Sequence, residues 1–335
     1  MIKKFFKSHP IHKKIVPLFD SLMIIRPTLF FSVWVMVCIG MYIGMILKVG
    51  FGNIPMNVVE FSYRAFTIFF GISLVCASTF ILNQLSDIDG DKINKKLLIV
   101  GNVLSEEKAL TISKITAIIG FISIFFVSWI VGFPMLLLYL LWGRLYNHEK
   151  YNWKSNPWLG LLCNVSCGYF LILSGILYVN DSIVFLFSVI SSSLIYTIPF
   201  LFAYFSVVLL ANIPDFEGDN LTKKKTFTVI YGVKNTIIFS TFMCIGSLVL
   251  GLYLWDPLSS TAALSALPFF LFTVFRGENK DIIRSIRYPI LLLNFYVLTI
   301  YPLLLFPVII SYYLTKYYYW HRFSVHYPTL LVDDD

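Results

Sequence analysis

Apolar and polar residues alternate along this chain in long blocks. Nine apolar runs lie at roughly 23–47, 62–84, 110–131, 133–146, 158–178, 183–211, 235–255, 261–275 and 288–314. An α-helix rises 1.5 Å per residue, so about 20 apolar residues cross a hydrocarbon core of about 30 Å. Most runs meet that length, while those at 133–146 and 261–275 are short for it. Backbone inside lipid finds no water to bond, so each run is predicted to be a helix. The pattern describes an all-α polytopic membrane protein with about nine transmembrane helices around a central cavity.

The loops carry an orientation signal. Lys3, Lys4, Lys7, Lys13, Lys14 and Arg26 precede or open the first run. Lys92, Lys95, Lys96 and Lys108 follow the second, Arg144, Lys150 and Lys154 the fourth, Lys223, Lys224 and Lys225 the sixth, and Arg276, Lys280, Arg284 and Arg287 the eighth. The intervening loops, such as "VGFP" at 131–134 and "VNDS" at 179–182, are nearly bare of cations. This alternation predicts a cytoplasmic N-terminus and a C-terminus outside. The expected organisation is a basic cytoplasmic segment over 1–22, one transmembrane domain over 23–314 and a tail over 315–335. The N-terminal stretch lacks a compact apolar core with a small-residue cleavage site, so it reads as a leader to the first run. With no eukaryotic targeting signal, the expected location is a bacterial cytoplasmic membrane.

Composition agrees with the pattern. The 335 residues are 58% hydrophobic and only 13% charged, too apolar for a water-soluble surface. The net charge of +8 is spread over short loops between spans, which membrane topology explains better than a nucleic-acid partner. Cys38, Cys76, Cys163, Cys167 and Cys244 all lie inside apolar runs, where thiols act as small hydrophobes.

Against this background two acidic stretches stand out, "NQLSDIDGD" at 83–91 and "NIPDFEGDN" at 212–220. Both end an inward-running span, so both belong on the cytoplasmic side. Asn83, Asp87 and Asp91 recur every four residues and share one face of a helix, as do Asp215 and Asp219. Clustered carboxylates repel unless a cation joins them. Mg²⁺ takes one or two carboxylates and completes its shell with water and phosphate oxygens. Lys92, Lys95 and Lys96 beside the first stretch, and Lys223, Lys224 and Lys225 beside the second, fit a metal-bound diphosphate, with Lys92, Lys95 and Lys225 the expected contacts. Asp and Asn at a helix end are also ordinary caps and turn residues, but two matched stretches on one side weaken that account. A calcium loop fails, because Gly90 is out of place and the twelfth position is Leu98 instead of Glu.

Here the sequence resembles the UbiA superfamily of intramembrane prenyltransferases. "NQLSDIDGDKINKK" is similar to its first aspartate-rich motif, and "IPDFEGDNLTKKKTFTVIYG" to its second, with Lys225, Thr226 and Gly232 at recurring places. "RPT" at 26–28 resembles the family's Arg-Pro start of the first span. The resemblance implies two Mg²⁺ ions held by Asn83, Asp87, Asp91, Asp215 and Asp219, gripping an isoprenyl diphosphate donor. Ionisation would yield an allylic cation that needs a dry, aromatic-lined cavity, and a small aromatic or lipid-like acceptor would capture it, with the isoprenoid tail open toward membrane lipid. Arg26 would sit at the mouth as a diphosphate contact or a membrane anchor. Tyr146, with Lys150 or Lys154, lies where the family has a Tyr followed by a cation, expected to contact diphosphate or acceptor. Asn164 is a polar residue inside a span, either part of the pocket or an interhelical bond. After the first motif this chain reads "NKKLLIVGN", where many relatives carry prolines and a second arginine. That departure motivates an alternative, a terpene cyclase that closes the donor on itself. A cation-coupled transporter is the second alternative.

Overall fold

The computed structural model describes residues 9–50, 62–94, 96, 99–180 and 186–329. Ten long helices organise them: α1 (Phe30–Val49), α2 (Tyr63–Ser86), α3 (Glu106–Val127), α4 (Trp129–Leu138), α5 (Pro157–Val179), α6 (Leu186–Ala211), α7 (Val233–Tyr253), α8 (Pro257–Arg276), α9 (Asn279–Ile300) and α10 (Leu305–Phe323). Among the described residues, nine candidate spans are long and apolar enough to cross a membrane; the fourth joins α4 to the π-helical turns of Tyr139–Tyr146. No strand is formed among the described residues, so the all-α expectation holds and the protein is an integral multi-pass membrane protein.

Side-chain caps set many of the helix starts. Ser62, Ser105 and Ser128 accept hydrogen bonds from Ala65, Lys108 and Val131 amides at 3.3, 3.4 and 3.4 Å, opening α2, α3 and α4. Asn156 accepts from Trp158 and Leu159 at 3.1 and 3.0 Å to open α5. Asp256 accepts from Leu258 and Ser259 at 3.3 and 3.1 Å to open α8, and also takes the Tyr42 hydroxyl at 2.7 Å. The caps correct two expected boundaries. The break after α3 falls at Ser128, and the expected "VGFP" loop lies inside α4, with Pro134 in the helix. The short run at 261–275 lengthens to a 20-residue helix because polar Asp256 and Ser259 serve its first turn.

Small residues bring α1 and α5 into backbone contact. A Cβ on Gly40 would collide with the Ile172 carbonyl oxygen, and one on Gly175 with the Val37 carbonyl oxygen. Such glycine contacts are how helices approach closely where lipid offers no hydrophobic drive. α1 also meets α2, α6 and α9, so it stands at the hub of the bundle.

The expected ninth run at 288–314 is corrected. It fuses the second half of α9 with the first half of α10, which are separated by the turn at Tyr301–Leu304. α10 therefore runs back toward the side where α9 begins. Its end is held there: the Tyr318 hydroxyl donates to Asp20 at 2.6 Å, Arg322 reaches both Asp20 oxygens at 3.2 Å, and His12 Nδ1 lies 2.6 Å from the Tyr317 hydroxyl. The N-terminal segment and the end of α10 thus share one side, whereas opposite sides were expected. The sequence hid the turn because Tyr301, Pro302 and Leu303 continue the apolar pattern without a charge.

Candidate functional site

α2 and α6 end on the same side. Asp87 follows α2 and precedes a short helix, Ile88–Ile93; Asp215 precedes a second short helix, Phe216–Leu221. The two short helices pack directly together. The Gly218 amide donates to Asn94 Oδ1 at 2.8 Å, and a Cβ on Gly218 would lie 2.7 Å from the Gly90 carbonyl oxygen. Only a glycine permits that approach.

The facing turns are a local repeat. "DIDGDKINKK" at 87–96 and "DFEGDNLTKK" at 215–224 are identical at five of ten positions. Their backbones repeat too. Asp91 N donates to Asp87 O at 2.8 Å and Lys96 N to Asp91 O at 3.0 Å, while Asp219 N donates to Asp215 O at 2.9 Å and Lys224 N to Asp219 O at 2.8 Å. The last lysine of each repeat then crosses to the other. Lys96 Nζ lies 3.0 Å from Asp91 and 2.6 Å from Asp215. Lys224 Nζ lies 3.7 Å from Asp219 and 2.6 Å from Asp87. Lys154, from the loop before α5, adds a third cation, 2.7 Å from Asp87 and 2.7 Å from the Ser86 hydroxyl.

Burial and charge compete at each group. Burial pushes the Asp87 carboxyl up, but Lys154 and Lys224 outweigh it and hold it below the usual carboxylate range. Burial pushes Asp219 up, aided by Asp215 and Asp87, and Lys224 only partly offsets this. Burial pulls the Lys154 ammonium down further than Asp87 raises it. For Lys96 and Lys224 the burial penalty is overcome, by Asp215 and Asp91 in the first case and chiefly by Asp87 in the second. The site is a desolvated charge network close to balance, held by residues from three separate segments.

Beneath it, Tyr146 lies beside Asn164 of α5 and within electrostatic reach of Asp87 and Asp219. Asn164 accepts from Trp142 Nε1 at 3.0 Å and donates to the Gly160 carbonyl at 2.9 Å. Tyr204 of α6 follows, packed against Gly168 and in reach of Tyr146. Tyr204 also lines an apolar cavity of about 120 Å³ between α1, α6, α7, α8 and α9, with Met36, Phe200, Ala266, Phe270 and Leu293. Tyr146 and Tyr204 thus lie between the charged turns and the apolar middle of the bundle.

Of the sequence-derived candidates, Asp87, Asp91, Asp215, Asp219 and Lys154 come together, with Tyr146 and Asn164 directly below. Asn83 sits half-buried one turn before Asp87, its carbonyl accepting the Ser86 hydroxyl at 3.0 Å. Lys92 and Lys225 are exposed and outside the ion pairs among the described residues; Lys96 and Lys224 take that place. Lys150 is exposed, its ammonium 5.7 Å from the Tyr151 ring centroid. Arg26, in a left-handed conformation at φ 53°, lies toward Tyr319 of α10. Lys95 lies outside the described residues. The signal that singles out Lys96 and Lys224 was in the sequence: they are the tenth residues of the two aligned repeats.

Among the described residues no three acidic, histidine or cysteine side chains converge closely enough to hold an ion by themselves. Mg²⁺ does not need that, since one or two carboxylates suffice when phosphate oxygens complete the shell. The four hard carboxylates fit such an ion, and the Thr226 hydroxyl, buried beside Asp219 without a well-directed hydrogen bond, is a further oxygen at the site.

Known proteins resemble this chain in sequence and fold. The profile of the UbiA prenyltransferase family matches residues 37–287. Over 172 residues, 50% of this chain and 41% of the relative, it is 30% identical to a 2-acylphloroglucinol 4-prenyltransferase of Humulus lupulus. Over 167 residues, 46% and 40% of the two chains, it is 30% identical to the chloroplastic homogentisate phytyltransferase 1 of Arabidopsis thaliana. The chain therefore spans about two fifths of the length of these curated relatives. In fold it is similar to a UbiA homolog from Archaeoglobus fulgidus bound to DMAPP and Mg²⁺, with a TM-score of 0.59 at 15% identity, over 84% of this chain and 98% of the other. A digeranylgeranylglyceryl phosphate synthase structure gives a TM-score of 0.56 at 18% identity, over 87% and 99%. The matched stretch contains α2, α6 and both acidic turns that their ends carry, and on that ground the chain belongs to the UbiA prenyltransferase family.

Proposed function

We propose that this protein transfers an isoprenyl group from its diphosphate to a small aromatic or lipid-like acceptor inside the membrane, in a Mg²⁺-dependent reaction. The observation that carries this reading is the meeting of two aspartate turns, threaded by three lysines, with Tyr146 and Tyr204 between them and an apolar cavity. The names of the relatives, which act on phenolic compounds, support an aromatic acceptor.

Asn83, Asp87, Asp91, Asp215 and Asp219 would hold Mg²⁺, which supplies charge neutralisation of the departing diphosphate. Lys154, fixed by Ser86 and Asp87, is placed to donate to a diphosphate oxygen at that spot. Tyr146 and Tyr204 would supply aromatic rings near the allylic cation, and the apolar lining of the cavity would keep out water that would quench it. The positive loops support a cytoplasmic face for this end of the bundle.

The test is a panel of C10 to C20 isoprenyl diphosphates given to the purified protein with Mg²⁺, with homogentisate, with an acylphloroglucinol, or with no acceptor. Prenylated phenol, lost in Asp87→Ala and Asp215→Ala, supports the reading. Acid-dependent cyclic hydrocarbon without acceptor would replace it with a cyclase. Donor binding unaffected by both variants would overturn the site itself.

A further inference from the structure

Lys96 and Lys224 occupy the position where the two repeats cross. Each bridges the last aspartate of its own turn and the first aspartate of the other. Their burial differs, with side chains 41% and 17% exposed, yet their connectivity is the same. Lys154 is unlike them, because it also bonds the Ser86 hydroxyl and carbonyl and so is pinned to α2. Among the bonds shown, Lys96 and Lys224 reach only carboxylates. Four aspartates face each other across two short helices whose backbones touch, and four like charges at such range would separate them without internal cations.

Building on the reading above, we propose that Lys96 and Lys224 are reciprocal counter-cations: they hold the two aspartate turns together before Mg²⁺ binds, are displaced from the carboxylates by Mg²⁺, and pass to the oxygens of the diphosphate. Each ammonium rests on the carboxylate oxygens a metal would take, so the two cations compete for one place. A lysine suits this exchange because its head is a point charge on a flexible four-carbon stem, free of the fork geometry that binds an arginine to one partner. The same two residues then lower the affinity for Mg²⁺ alone and raise it for Mg²⁺ with diphosphate. The metal is thereby coupled to the substrate.

The test uses the wild-type protein in detergent, with inorganic diphosphate as the probe. A small amine-acylating reagent is applied, and modification of each lysine is read by peptide mass spectrometry. Mg²⁺ alone should increase modification at Lys96 and Lys224 severalfold and leave Lys154 unchanged. Mg²⁺ with diphosphate should return both to low modification. In parallel, Lys96→Met should bind Mg²⁺ alone about tenfold tighter by thermal shift, with exposed Lys234→Met as the charge control and Lys224→Met giving the same direction. Unchanged modification with Mg²⁺ alone, while Mg²⁺ and diphosphate together still protect, would overturn the exchange and leave the enzyme reading intact. No response to any combination would overturn both.

Discussion

Asp87 accepts from two lysines that arrive from different parts of the chain, Lys154 at 2.7 Å and Lys224 at 2.6 Å. The two cations do separate work. Lys154 is 9% exposed and tied to the end of α2, so its loss leaves a half-buried hydroxyl without its ammonium donor and a half-buried carboxylate with Lys224 alone. Lys154→Met should cost on the order of 1–3 kcal/mol of stability, the usual result of orphaning a buried polar partner, and should raise the KM for donor. Thermal unfolding and donor titration check this. An unchanged KM would remove Lys154 from diphosphate binding. Lys154→Arg should not restore the parent value, since the bulkier planar guanidinium does not fit the space in which one compact ammonium lies 2.7 Å from both Ser86 and Asp87.

At the scale of elements, glycine contacts and caps decide how the helices sit. Gly40 and Gly175 let α1 and α5 touch at their backbones. Gly40→Val should push the hub helix away and cost about 1–3 kcal/mol or more, the range for overpacking a filled interior; a thermal midpoint equal to the parent would refute that contact. α10 offers a second element test. Its end is held by Asp20 through Tyr318 and Arg322, and hydrogen bonds to charged groups contribute about 1.5–3 kcal/mol each. Asp20→Asn should speed proteolysis after Phe323, and an unchanged cleavage rate would mean that apolar packing alone seats α10. These elements also mark what the sequence made legible. Eight of the expected runs could be matched to helices because length and apolarity suffice to locate a span. The ninth was misplaced because the turn between α9 and α10 bears no charged residue, and the second half of α10, with its tyrosines and Lys316, His321 and Arg322, does not read as apolar. The aspartates were legible by their spacing. Among the cations, Lys154 was singled out and pairs with Asp87, whereas Lys96 and Lys224 were not told apart from their neighbours, because a run of adjacent lysines looks alike until the two repeats are set in register. Tyr204 was missed for a simpler reason: one tyrosine in an aromatic helix carries no distinguishing pattern.

For the whole molecule, the decisive feature is the division of chemistry by depth. Charges gather where α2 and α6 end, and the cavity lies deeper, where α1, α6, α7, α8 and α9 meet. A donor with a charged head and an apolar tail has the same division, so its length should be read by how much of the tail the cavity accepts. Ala262, Ala263 and Ala266 of α8 form a smooth wall on one side of that space. Ala266→Phe would project a ring into the cavity of about 120 Å³ without touching the aspartates or lysines. The expected outcome is a shift in donor preference: kcat/KM for C20 donors falls about tenfold or more relative to C10 donors, because discrimination per methylene in an apolar pocket is about 1–3 kcal/mol. Turnover of the shortest donor should be nearly kept, which separates a shortened cavity from a damaged fold. An equal loss for every donor would place the tail elsewhere, along the lipid-facing grooves, and would leave this cavity as a packing defect.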